Sequence, residues 1–199
     1  QVLASKVFAS SAEANTLDAK TTGVVTATIS TTAIADLDDL TGTGNAYTIT
    51  VADSSVTAAA LNTVNAATTV NVTATAVTTI TGTAAQLATT YGGGITGLGN
   101  ETVTVSDGDV TAANLNTINA GTSVSVVATA VTNITGSRTE LATTYGGGMT
   151  GLGDETITVS DANITSTQAN TIDGYTTGAV TATISTTAIA AVSYTHLRA

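Results

Sequence analysis

Cysteine, proline and tryptophan are absent from this 199-residue chain, which also holds one phenylalanine, one histidine and four basic residues. Without cysteine there is neither a disulfide framework nor a thiolate metal site. The sole histidine, His196, lies near the end, so no nucleophile can be paired with a neighbouring imidazole and hydrolytic triads are excluded. Lys6, Lys20, Arg138 and Arg198 face 14 carboxylates for a net charge of −10. No basic patch exists to displace counterions from phosphates, so nucleic acid is not an expected partner, and anionic membrane surfaces are disfavoured likewise. The chain has no apolar run long enough to span a bilayer and no signal segment with a basic start, so membrane insertion is not expected. It opens on Gln1 and reads as an internal stretch of a longer protein.

What is present is apolar and hydroxylated. Apolar residues make up 42% and charged residues 9%, a balance that favours folding over disorder despite the low complexity. Aromatics are 3%, so the core must be built from Val, Ile, Leu and Ala, while 48 threonines suit the surface of a β-sheet.

The sequence repeats. Val51, Val105 and Val159 are evenly spaced, and Ile80 with Ile134 and Tyr91 with Tyr145 keep the same interval, a 54-residue period. Val25–Ala35 also recurs as Val180–Ala190, at an offset of 155. A fixed period of this length signals a stacked architecture in which each unit buries its apolar side on the next. Within a unit, apolar residues alternate in Val103-x-Val105 and Val124-x-Val126, a half-buried strand pattern. The central positions Val25, Val51, Val72, Val105, Val126, Val159 and Val180 define seven strands, with 21- and 33-residue intervals alternating after Val51.

Helices are expected between them. Val110, Leu115 and Ile118 fall near helical spacing, with Asp107 and Asp109 placed to accept from the first free N–H groups. Thr83-x-x-Gln86 and Ser137-x-x-Glu140 are capping-box patterns. The triplets Gly92–Gly94 and Gly146–Gly148 are expected to end those helices at positive φ. The fold class expected is an α/β solenoid of about seven coils, with a parallel sheet on one face and short helices between coils; an all-β solenoid is the alternative. Residues 1–13 fit the repeat loosely, residues 14–192 form one tandem array, and residues 193–199 break the pattern. That tail, SYTHLRA, resembles the adapter-derived translation found at the ends of some environmental sequence reads, which would leave His196 and Arg198 without a role.

Candidate chemistry is sparse. Asp107 with Asp109, and Asp36 with Asp38 and Asp39, are the close carboxylate sets, and helix capping with solubility explains them without catalysis. Asp107-Gly108-Asp109 offers hard oxygen ligands for calcium, but Asp109 becomes Ser55 and Asn163 in the neighbouring units, so a repeated site loses charge in two of three copies. No catalytic residue, metal ligand or cofactor is assigned. Three residues before each central Val stands a hydroxyl: Thr22, Thr48, Thr69, Thr102, Ser123, Thr156 and Thr177. On a parallel sheet these are expected to stack outward at about 4.8 Å, with Thr50, Thr104 and Thr158 forming a second column about 6.6 Å away. Such rows resemble the Thr-x-Thr arrays of ice-binding solenoids, although Val24, Asn71, Ser125 and Ala179 interrupt the second column.

The stretches LNTINAGTSV, ITGTAAQLATTYGGGITGLGNETVTVSD and LTGTGNAYTITVAD resemble tandem modules of very long bacterial and cyanobacterial surface or secreted proteins. The resemblance covers nearly all of residues 14–192 and implies a noncatalytic structural or adhesive segment outside or on the cell. It also implies neighbouring repeats as partners, with a surface or glycan as ligand. Ice or another crystalline surface is the alternative target.

Overall fold

The computed structural model describes residues 4–185, with side chains described from residue 8 onward. Short helices and parallel strands alternate along the chain. The first elements are β1 (Ala4–Ala9), α1 (Ser11–Asp18), β2 (Val25–Ile29), α2 (Ile34–Leu37) and β3 (Ala46–Thr48). They continue with β4 (Ser55–Thr57), α3 (Ala58–Ala66), β5 (Val72–Thr73), β6 (Thr79–Gly82), α4 (Ala84–Gly92), β7 (Ile95–Thr96) and β8 (Thr102–Val105). Then come β9 (Asp109–Thr111), α5 (Ala112–Gly121), β10 (Asn133–Gly136), α6 (Arg138–Gly146), β11 (Thr156–Val159), α7 (Ser166–Asp173) and β12 (Val180–Thr181). The protein is therefore α/β, and the all-β alternative does not hold. Residues 193–199, with His196 and Arg198, lie outside the described residues.

The helices start where hydroxyl caps dictate. Thr83 and Ser137 each accept from the backbone three residues on, while Gln86 and Glu140 reach back, closing the expected boxes on α4 and α6. Ser10 with Glu13, and Thr165 with Gln168, do the same for α1 and α7. Regular structure thus also covers Ala4–Ala9 and the start of α1, in the part of the chain that fits the repeat loosely.

Asp107 does not cap α5, whose N-cap is Thr111. Its Oδ1 instead accepts from the Ala84 N–H at 2.8 Å, at the start of α4. Asp53 and Asp161, its counterparts one repeat earlier and one repeat later, bind Ile34 N of α2 at 2.7 Å and Arg138 N of α6 at 2.6 Å. Each of these carboxylates comes from a later stretch of chain and satisfies a helix N-terminus laid down earlier, where the helix dipole favours negative charge.

The glycine triplets end their helices without the expected geometry: Gly93 has φ −94° and Gly147 φ −82°, and only Gly148 of the six is at positive φ. Left-handed backbone falls in the following Thr-Gly-Leu-Gly turns, at Gly97, Gly99, Gly151 and Gly153. At Gly151 a Cβ would also stand 2.7 Å from the Thr129 backbone nitrogen, so the turn needs glycine for space as well as for φ.

Among the described residues all strand pairing is parallel, in four small sheets ordered β1-β2-β3, β4-β6-β8, β5-β7 and β12-β11-β10-β9. Inward residues meet across the ladders, as in Val56–Ile80–Val103 and Val110–Ile134–Ile157. With Leu61, Leu87, Leu115, Ile118 and Leu141 from the helices they form one core cluster. Each fully buried Val or Leu contributes roughly 1.5–3 kcal/mol. Val51, Val72, Val105 and Val126 are fully buried, as expected, and Val159 nearly so; Val180 is half-buried.

The register departs from the expected 21- and 33-residue spacing. Paired residues are mostly 23 or 24 apart, as in Val56–Ile80, Ile80–Val103 and Ile134–Ile157. Strands β4, β6, β9 and β10, which immediately precede helices, carry much of this pairing. Strand β8 has a neighbour on each side, because Thr104 pairs with Thr81 of β6 and also bridges to Val127, which bridges to Thr150. The ladder that starts at Thr57 thus runs through Thr81, Thr104 and Val127 to Thr150, while Thr111 starts a fresh one through Thr135 and Thr158 to Thr181.

Candidate functional site

The ten hydroxyl residues singled out in the sequence do face outward. Thr22, Thr48, Thr69, Thr102, Ser123, Thr156, Thr177, Thr50 and Thr158 are exposed, and Thr104 is half-buried. They do not stack on one another, since no two of them are partners across a ladder. Thr48 stands beside Thr28, Thr50 beside Thr73, Thr102 beside Thr79, and Thr156 beside Asn133. Thr104 lies between Thr81 and Val127, and Thr158 between Thr135 and Thr181. Thr69, Ser123 and Thr177 sit where the chain leaves the preceding helix, their N–H groups bound to the carbonyls of Asn45, Gly99 and Gly153. Thr22 has no ladder partner among the described residues.

What the ladders assemble instead is two small grids. In one, Ser55-x-Thr57, Thr79-x-Thr81 and Thr102-x-Thr104 lie side by side. In the other, Asp109-x-Thr111, Asn133-x-Thr135 and Thr156-x-Thr158 do so, extended by Thr181. Strand spacing makes each grid about 4.8 Å by 6.6 Å per cell. Thr79, Thr81, Thr111, Thr135 and Thr181 escape a count back from the buried valines. The likeness of Thr79-Ile-Thr81 to Thr102-Val-Thr104 is the signal that pairs them.

Not every hydroxyl is available to a ligand. Thr57 and Thr111 accept from N–H groups of α3 and α5 as N-caps. The Thr69 hydroxyl donates to the Asn45 carbonyl at 3.0 Å, and that of Thr177 to the Gly153 carbonyl at 3.3 Å. Thr156 donates to Asn133 Oδ1 at 3.0 Å.

A second polar feature lies outside the expectations drawn from sequence. Glu101 and Glu155 are 0% and 1% exposed, and each carboxylate is enclosed by its own turn and one tyrosine. Tyr91 Oη donates to Glu101 at 3.0 Å and Gly99 N–H at 2.7 Å; Tyr145 Oη donates to Glu155 at 2.8 Å and Gly153 N–H at 2.7 Å. Burial, then the adjoining carboxylate, raises the Tyr91 phenol well above its ordinary range; for Tyr145 burial again leads, followed by the hydrogen bond to Glu155. The Tyr145 ring also stacks on Tyr175, with centroids 4.9 Å apart and planes inclined by 13°. These pairs, with buried carboxylates and half-buried tyrosines, hold the Thr-Gly-Leu-Gly turns against the preceding helix.

In the first unit the equivalents of Tyr91 and Glu101, one period earlier, are Leu37 and Tyr47. The tyrosine has moved to the glutamate position. It is fully buried, its hydroxyl has no hydrogen-bond partner, and burial, with the Asp18 charge, raises its pKa.

Of the acidic sets, Asp107 is engaged at α4, whereas Asp109 is exposed, as are Asp36, Asp38 and Asp39. No three His, Cys, Asp or Glu side chains converge as a metal-holding group among the described residues. The depression lined by Thr129, Gly151, Leu152, Gly153 and Asp154 is shallow and open to solvent. No helix among the described residues is long and apolar enough to cross a membrane. No family model, curated protein or solved structure matches the chain.

Proposed function

We propose that the chain is a stacked α/β solenoid serving as a noncatalytic structural or adhesive segment of an extracellular or cell-surface repeat protein. The observation that carries this reading is that side-chain hydrogen bonds tie one coil to the next and recur at equivalent positions. Asp53, Asp107 and Asp161 bind helix starts of earlier coils, and Asn62 and Asn116 bind later helices. Such a rod extends by adding units and presents a long exterior. The reading requires neither cofactor nor metal, and the partners it implies are neighbouring repeats together with a surface or glycan.

Chains of one, two and three repeat units, compared by small-angle scattering and by binding to glycan arrays and intact cells, test it. Length should rise in proportion to unit number, with retention on at least one surface. A length independent of unit number sinks the rod, and uniform failure to bind removes adhesion while leaving a spacer.

The Thr79/Thr81 and Thr102/Thr104 grid favours a second reading, ice or crystalline-surface binding through regularly spaced hydroxyl and methyl groups. Thermal hysteresis that disappears on Thr81→Lys supports it; no hysteresis and no shaping of ice crystals removes it.

A further inference from the structure

Helices α1 and α7 are the same element met twice: Ser11, Ala14, Asn15, Thr16 and Asp18 recur in the same order as Ser166, Ala169, Asn170, Thr171 and Asp173. In α1 the two polar residues on one side are occupied by the following coil. Asn15 Nδ2 donates to the Asp39 carbonyl at 2.9 Å, and Asn15 Oδ1 accepts from Thr41 N–H at 3.0 Å. Asp18 Oδ1 accepts from Asn45 Nδ2 at 2.8 Å, and the same carboxamide accepts from Val25 N–H at 2.9 Å. Gly42 is wedged between them, where a Cβ would stand 2.6 Å from Asp18 Oδ2.

In α7 the equivalent side is open. Asn170 and Asp173 are exposed and neither makes a side-chain hydrogen bond among the described residues. Asn116, the counterpart of Asn170 one repeat earlier, is engaged by α6, through Glu140 O at 3.0 Å and Thr144 Oγ at 2.8 Å. Every other asparagine at this repeat position, Asn15, Asn62 and Asn116, therefore binds a later helix or the loop beyond it.

We infer that the Asn170–Asp173 side of α7 is a docking surface for one further coil of the type formed by residues 36–50. Its occupant presents a carbonyl and an N–H two residues apart to Asn170, as Asp39 and Thr41 do for Asn15. It then turns through glycine to seat an asparagine carboxamide on Asp173, as Asn45 does on Asp18. The likeness between the two regions runs through Ala35 and Ala190 and breaks one residue later, where Asp36 is matched by Ala191, so the segment from Asp36 onward is the part of the pattern that α7 lacks. The inference rests on the stacked-coil part of the proposed function and not on adhesion.

The test replaces residues 191–199 of the full chain by a copy of residues 36–57 and measures thermal unfolding and amide exchange, with Asn170→Ala and Asn15→Ala made in the original and extended chains. The added segment should gain exchange protection. Asn170→Ala should lower Tm by about 2–4 °C in the extended chain, the shift expected for loss of a pair of hydrogen bonds in a chain of this size, and leave the original unmoved. Asn15→Ala should lower Tm in both. An added segment that exchanges freely, or an Asn170→Ala effect equal in both chains, overturns the docking surface while leaving the rod intact. An Asn15→Ala variant that melts unchanged removes the clamp itself, and with it the stacked-coil contact on which the inference is built.

Discussion

Thr144 on α6 donates its hydroxyl to Asn116 Oδ1 on α5 at 2.8 Å, and the same Asn116 donates to the Glu140 carbonyl at 3.0 Å. Thr90 and Asn62 repeat this between α4 and α3 at 2.9 Å. The carboxamide uses both its donor and acceptor ends to fix one helix against the next, and Thr144 is 1% exposed. Asn116→Ala should therefore destabilise by about 1–3 kcal/mol, the net worth of the two interhelix hydrogen bonds it removes, because the Thr144 hydroxyl and the Glu140 carbonyl keep each other at 3.0 Å; urea unfolding measures it. A loss within a few tenths of a kcal/mol would show that water replaces the amide.

The buried tyrosines separate two cases within one chain. Tyr145→Phe removes a donor from the enclosed Glu155 carboxylate and should cost about 1.5–3 kcal/mol, as hydrogen bonds to charged groups do. Tyr47→Phe removes a buried hydroxyl that has no partner and should be neutral or stabilising. Equal losses for both variants would contradict the assignment of Glu155 as the reason for the difference.

Acid should act on the capping box of α6 and not on that of α4. The Ser137 N–H, then its hydroxyl, bind the Glu140 carboxylate and hold its pKa below the ordinary glutamate value. A depressed folded pKa contributes stability that is complete above the unfolded value, near about 4.3, and is lost as pH falls through the folded value. The α4 box uses Gln86 and does not titrate. Glu140→Gln should accordingly reduce the acid dependence of stability below about pH 4, with little change at neutral pH. An unaltered acid profile in that variant would count against the box as its source.

Val126 is fully buried, and its carbonyl and the N–H of the next residue lie within the ladder through Val103 and Thr150. Val126→Asp places an unpaired carboxylate in that core, a change well beyond the usual range for single substitutions, and should unfold the surrounding stretch. Unchanged thermal unfolding would refute the inward placement.

The helices were legible because their signals are local. Thr83-x-x-Gln86 and Ser137-x-x-Glu140 announce their own caps, and Leu115 and Ile118 their buried face. The strand register was less so, because every second residue of several short segments is Val, Ile or Thr and alternation alone cannot say which segment lies beside which. Alignment on Val105 and Val126 places Thr102 beside Ser123, whereas the ladder sets it beside Thr79, in a strand whose four residues end in Gly82 and carry one buried aliphatic. Asp107 misleads for a similar reason: the helix it binds starts earlier in the chain, at Ala84, and not just ahead. Glu101 gives no local sign of burial, since the Tyr91 hydroxyl that helps satisfy it comes from α4 and meets the turn only in three dimensions.

Strand β8, bonded on both sides, lies within one ladder, and Thr111, shortly after it in the chain, begins another. The ladder from Thr57 to Thr150, in which Val127 interrupts the hydroxyls, shares no residue with the one from Thr111 to Thr181. On the stacked reading proposed above, adding units multiplies separate patches rather than lengthening a single one. On that same reading a stiff planar target engages one patch at a time, while a flexible polymer gains avidity with every unit it follows.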